Sequence, residues 1–253
     1  MLPRTFIHLP RVGPITERRL WQAGLASWAH LLDHQGALPG FSSSRWAELQ
    51  ACAAQSQRAL ETGDHCFFAR ALAPREHWRA FSTFGRRPAY VDIETTGMGP
   101  WAEVTVVGIW DGSRASTFVA GDNMDECGEV LADQSFLVTY NGAAFDLPIL
   151  RRRFPGLPPD QLHVDLRYAL ARLGLRGGLK VVERRLGLDR DDDLAGLDGW
   201  DAVRLWYEYR RGDDAALDLL VRYNAADVRN LEPLMGYAYA RLRAGLLGEA
   251  EAP

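Results

Sequence analysis

Lysine is almost missing. Lys180 is the single lysine among 29 basic residues, and the rest are arginine. Any phosphate contacts would therefore come mainly from guanidinium forks. Cysteine is scarce as well. Cys52, Cys66 and Cys127 lie far apart without CxxC spacing, which argues against a disulfide framework or a zinc knuckle and suits a reducing compartment. No run approaches about 18 apolar residues, so no membrane-spanning helix is expected. Met1-Leu2-Pro3-Arg4-Thr5 has no basic segment ahead of an apolar one, so a cytoplasmic protein is expected, with no membrane partner. A basic excess is also lacking. The formal net charge is −4, so bulk charge does not advertise nucleic-acid binding, although clustered carboxylates can mask basic patches elsewhere. The hydrophobic fraction of 47% and charged fraction of 25% exclude disorder and coiled coil as the main state. A chain of 253 residues fits one large domain, or one ordinary domain with a small attachment.

Residues 1–85 read as helices joined by loops. Leu20, Trp21, Leu25, Trp28, Leu31 and Leu32 recur at helical spacing, as do Trp46, Leu49, Cys52, Ala53 and Leu60 behind a cap at Ser44. From Ala89 the period changes. Strands are expected at 89–95, 103–110, 115–120, 136–140 and 163–166, with Asp111-Gly112 as a hairpin turn. Helices are expected at 124–132, 144–154, 168–173, 179–186, 202–209 and 214–242, the last interrupted by Pro233. The first three strands suit an antiparallel meander, and the later ones suit helical crossovers.

Three segments carry chemistry. In Val91-Asp92-Ile93-Glu94 the side chains alternate, so Asp92 and Glu94 share one face of a very apolar strand. Two such carboxylates repel and resist desolvation, so a cation is expected between them, and hard oxygen ligands suit Mg²⁺ or Mn²⁺. Thr95-Thr96-Gly97 follows as a turn where a substrate backbone could lie. Next, Asn141-Gly142-Ala143-Ala144-Phe145-Asp146 closes a strand and opens a helix. Asp146 alone would read as compensation of the helix dipole, Asn141 as a turn residue and Phe145 as core. In a site, Asn141 could bond a base or sugar edge and Phe145 could stack. Last, Tyr223 and Asp227 lie four apart on one helix face, a spacing that also serves plain surface hydrogen bonds. Together, Asp92, Glu94, Asp146, Tyr223 and Asp227 supply what a two-metal phosphodiester hydrolase needs.

These segments resemble the three exonuclease motifs of the DEDD 3′–5′ exonucleases, which have an RNase H-like fold. V-D-I-E-T-T-G matches the first motif, Y-N-G-A-A-F-D the second and Y-N-A-A-D the third. Tyr223 implies the DEDDy subgroup. Position 222 is Arg, so the histidine version is not available. The resemblance covers roughly residues 88–240. It implies that Asp92, Glu94 and Asp227 hold two divalent metal ions, that Asp146 completes the site, and that Tyr223 positions the attacking water. Gly178-Leu179-Lys180-x-x-Glu183 and His163-x-Asp165-Leu166 are most similar to the stand-alone bacterial YprB-like proteins, which implies DNA repair beside a helicase.

The expected fold is thus α/β: an RNase H-like mixed five-stranded sheet flanked by helices over 86–253, and a small all-helical N-terminal domain over 1–85. The expected reaction is hydrolysis of single-stranded DNA from its 3′ end to nucleoside monophosphates. Alternatives are an RNA-trimming exoribonuclease, a structure-specific nuclease and a catalytically silent nucleic-acid-binding adaptor. Phe6 to Leu20 partly matches a helix-hairpin-helix element, with Gly13 present, Arg11 where the first glycine belongs, and Glu17 where a small residue is usual. Among the arginine runs, Arg151 to Arg153 is the first candidate for a phosphate contact, with Arg151 foremost, because it follows Asp146 by about one or two helical turns. Lys180 is another, against the commoner reading of a surface lysine. Asp189 to Asp193 reads as an exposed loop.

Overall fold

The computed structural model describes residues 1–99, 101–194 and 196–251. Residues 100, 195, 252 and 253 of the expected 86–253 domain lie outside the described residues. The chain forms two compact units. The first is Met1–Arg86 with Asp160–His163 and the chain from Tyr239 on; the second is Arg87–Pro159 with Val164–Ala238.

The first unit contains α1 (Pro14–Gln22), α2 (Trp28–Asp33), α3 (Ser43–Glu61), α4 (His65–Ala71) and α5 (Phe81–Phe84). The cap of α3 is Ser42 rather than Ser44; its hydroxyl accepts from the Arg45 amide. Gly13 caps α1, and Arg11 adopts φ 59°, the left-handed conformation that a hairpin glycine would supply without strain. Glu17 is buried and accepts from the Phe6 and Ile7 amides and from Arg79, so it ties the N-terminal turn down.

The second unit is built on a five-stranded sheet of order β3-β2-β1-β4-β5. The strands are β1 (Ala89–Thr95), β2 (Val104–Trp110), β3 (Ala115–Val119), β4 (Phe136–Thr139) and β5 (Leu162–Asp165). β1, β2 and β3 pair antiparallel, and β4 pairs parallel to β1. The helices are α6 (Met124–Ala132), α7 (Asp146–Arg153), α8 (Leu166–Ala171), α9 (Leu179–Arg185), α10 (Gly199–Tyr209) and α11 (Asp214–Glu251). α11 continues through Pro233.

Alternation along the strands sorts the core onto two faces. Val91, Ile93, Val107 and Ile109 pack with Cys127 and Leu131 of α6 and Leu147 and Leu150 of α7. Val106 and Val119 pack on the other face with Leu205 and Trp206 of α10 and Leu220 and Tyr223 of α11. Each such buried side chain contributes roughly 1.5–3 kcal/mol. Asp92 and Glu94 belong to the second face, so the sheet's own pleat points them at α11. A β-bulge follows Glu94, where the register slips between Glu94 and Thr95. Among the described residues, no helix is long and apolar enough to cross a membrane.

Candidate active site

α11 brings Tyr223 and Asp227 to the strand face that carries Asp92 and Glu94. One oxygen from each of Asp92, Glu94 and Asp227 lies within 4.8 Å of the others. Glu94 and Asp227 are buried, and Asp92 is half-buried. Asp146 opens α7 and is buried beside this trio. Burial pushes its carboxyl up to about 7, against the pull of its own backbone amide and that of Ile93. Asp92 and Glu94 are held well above the usual carboxylate range, first by burial and then by the charge of Asp227. Asp227 is raised to about 6 by burial, with Arg190 opposing.

Four carboxyl groups crowded away from water are costly unless positive charge joins them. Three oxygen donors at this separation fit a hard divalent cation, Mg²⁺ or Mn²⁺. Burial, then the charge of Asp227, raises the Tyr223 phenol above its ordinary value, so its hydroxyl stays protonated. No described residue hydrogen-bonds that hydroxyl.

A family model described as the RNase_H superfamily matches residues 89–239. The chain belongs to the RNase H superfamily. No curated protein matches it. Superfamily membership points to a metal-dependent nuclease with a nucleic-acid substrate, and the acidic cluster could hold a metal ion.

Within this RNase H-superfamily domain, two supporting elements carried no assigned role in the sequence. The first is Asn224. Its amide donates to Asp92 Oδ2 at 3.0 Å and lies 3.5 Å from Glu94 Oε1, so one side chain holds both acids of the strand. Gly108 pairs with Asp92 across the sheet. A Cβ at Gly108 would lie 2.0 Å from Asn224 Oδ1 and 3.1 Å from Val228. The glycine inside an apolar strand is therefore what lets α11 approach. Gly108→Ala is expected to destabilise by roughly 1–3 kcal/mol through overpacking. It should also weaken Mn²⁺ binding, because Asn224 must turn away from the acids. Thermal unfolding and an EPR titration with Mn²⁺ check both effects.

The second element is Arg190. The run Asp189 to Asp193 is not simply an exposed loop, since the Arg190 side chain is 5% exposed. Its Nε and Nη2 form a fork on Glu183 at 2.8 and 2.6 Å, and Nη2 lies 2.5 Å from Asp227 Oδ1. Asn230 also donates to Glu183, at 3.0 Å. This network fixes Asp227 through Arg190. The sequence signal was one arginine inside an acidic run.

The remaining expected contacts are placed as follows. Lys180 lies at the site: its Nζ is 4.4 Å from the centre of the Tyr223 ring, buried, and without a hydrogen-bond partner among the described residues. Burial lowers its pKa, and Asp227 opposes that. The Thr95 hydroxyl donates to Gly97 O, and the Thr96 hydroxyl accepts from the Glu103 amide, so both shape the loop after β1. Asn141 has φ 70° and its side chain accepts from Arg167 at 2.6 Å. Asp165 fixes this turn by accepting from the Asn141 and Ala143 amides. Phe145 packs partly into the α6/α7 core, the face opposite Asp92. Arg151 is exposed and lies about 140° round α7 from Asp146. It is not brought to the carboxylates.

Proposed function

We propose that the chain is a DEDDy-type 3′–5′ exonuclease that releases nucleoside 5′-monophosphates from single-stranded DNA. The observation that carries this reading is the protonated, unengaged Tyr223 hydroxyl one helical turn from Asp227, facing Asp92 and Glu94. When bound, two Mg²⁺ or Mn²⁺ ions supply a water of lowered pKa and counter-charge for the phosphate. Asp92, Glu94 and Asp227 hold them, and Asp146 completes the acidic wall. Asn224 keeps the two strand acids in place, and the Arg190–Glu183 pair fixes Asp227. The Tyr223 hydroxyl orients the attacking water. Water oxygen bonds to phosphorus, the bond to the 3′ oxygen of the penultimate nucleotide breaks, and that oxygen takes up a proton. Lys180 stands ready to receive a non-bridging phosphate oxygen.

A single strand is favoured because a paired 3′ end must be unpaired to enter such a site. The likeness to YprB-like proteins supports a repair role next to a helicase. Tyr223→Phe tests the reading. It should lower kcat about 100-fold, leave KM little changed and leave Mn²⁺ affinity intact. Unaltered kcat would remove the tyrosine from the mechanism. Products resolved by chromatography should be 5′-monophosphates appearing from the 3′ end. Internal fragments would favour a structure-specific endonuclease, and faster cutting of RNA would favour the exoribonuclease.

A further inference from the structure

A cleft of about 440 Å³ opens in the same unit as the acidic site, within the usual range for ligand pockets of roughly 300–1,000 Å³. Asn141, Arg167, Tyr168, Arg176 and Gly178 line it. The chain joins its walls to the site at two places. Asn141 leads through one short turn to Asp146, and Gly178 precedes α9, whose Lys180 sits on the Tyr223 ring. The frame is fixed. Tyr140 donates to Gly177 O at 2.7 Å, and Asp165 spends both oxygens on the amides of Asn141, Ala143 and Arg167. The contacts left over are of one kind. Tyr168 is 54% exposed. Arg176 is exposed and makes no hydrogen bond or ion pair with a described residue. Arg167 spends Nη1 on Asn141, and its exposed guanidinium keeps further donors. An exposed aromatic ring and two guanidinium groups lining one cleft match the stacking surface and phosphate contacts used for single strands.

We infer that this cleft is a subsite for single-stranded nucleic acid, holding a nucleotide adjacent to the one being released. Tyr168 stacks on a base, and Arg176 with Arg167 receives phosphate oxygens. The inference rests on the exonuclease reading, which supplies a strand longer than one nucleotide. It assigns the strand contacts to residues other than Phe145 and Arg151.

The test is fluorescence anisotropy of 5′-fluorescein oligodeoxythymidylates of increasing length, with Ca²⁺ present, on the full chain. Tyr168→Ala should weaken binding of the longer strands about tenfold. Arg176→Ala should weaken it and reduce the salt slope by about 0.7. Both residues are exposed, so melting temperatures should match wild type. Arg211→Ala, at an exposed arginine outside the cleft, serves as the control and should bind as wild type. Thymidine monophosphate should bind Tyr168→Ala and wild type alike, because it does not reach the subsite. Wild-type affinity in both cleft variants, an equal loss in Arg211→Ala, or no strand binding by wild type would each overturn the inference. Normal 3′ cutting with unaltered variant binding removes the cleft alone. Reduced variant binding in a chain that cuts no strand keeps the cleft and removes the exonuclease reading.

Discussion

Asp92→Asn is expected to abolish hydrolysis and to strengthen the metal-free protein at the same time. The loss should be about 1,000-fold or more, because an ion-holding carboxylate supplies several kcal/mol of transition-state stabilisation. The gain follows from the site's electrostatics. Asp92 faces Asp227, Glu94 and Asp146, and burial and these charges hold its carboxyl well above the usual range. An amide of the same shape removes that repulsion and can still accept from Asn224. Unfolding in EDTA should show at least about 1 kcal/mol more stability, or roughly 2–4 °C. Differential scanning calorimetry and turnover on a labelled strand measure the two effects. A variant that loses activity and also loses stability would mean that Asp92 has a structural role instead.

Divalent metal should reverse the pH dependence of stability. In the metal-free protein, the folded carboxyls of Asp146 and Asp227 titrate near 7 and 6. An unfolded Asp titrates at about 3.9. Between those values the folded state holds more protons than the unfolded state, so stability falls as pH rises from about 4 to 7. Metal requires deprotonated ligands, so its contribution grows over the same interval. At 100 times its Kd, an ion that binds only the folded state adds about 2.7 kcal/mol. Melting curves in EDTA should therefore decline towards pH 8, and curves in Mn²⁺ should not. Asp92→Asn should lose most of the metal-dependent gain. Parallel curves with and without metal would contradict a cation site at this cluster.

Local pattern made much of the fold legible. β1 runs over the expected Ala89–Thr95 and α6 over the expected Met124–Ala132, because alternation and helical period are set by neighbouring residues. The antiparallel meander and the parallel β4 also follow the strand spacing. Element ends were less legible. The helix expected from residue 144 starts at Asp146, because Asn141 turns left-handed and the Asp165 clamp holds the residues after it out of the helix. The acids of the candidate site stood out because each sits in a short motif. Their support was not. Asn224 packs on Gly108 of another strand, and Arg190, in a loop, reaches Asp227 far along the chain on α11. Pairings of that range leave no local period. Lys180 stood out in the sequence as a lone lysine, but its place on the Tyr223 ring comes only from the fold.

The most direct test of the account is degradation of a 5′-labelled single-stranded DNA and its RNA counterpart, each with Mg²⁺, Mn²⁺ or EDTA, by wild type and Asp92→Asn side by side. The account predicts a ladder shortening from the 3′ end on DNA, dependent on metal and absent in Asp92→Asn. No products on either strand from a wild type that still binds them would contradict it and leave a nucleic-acid-binding adaptor.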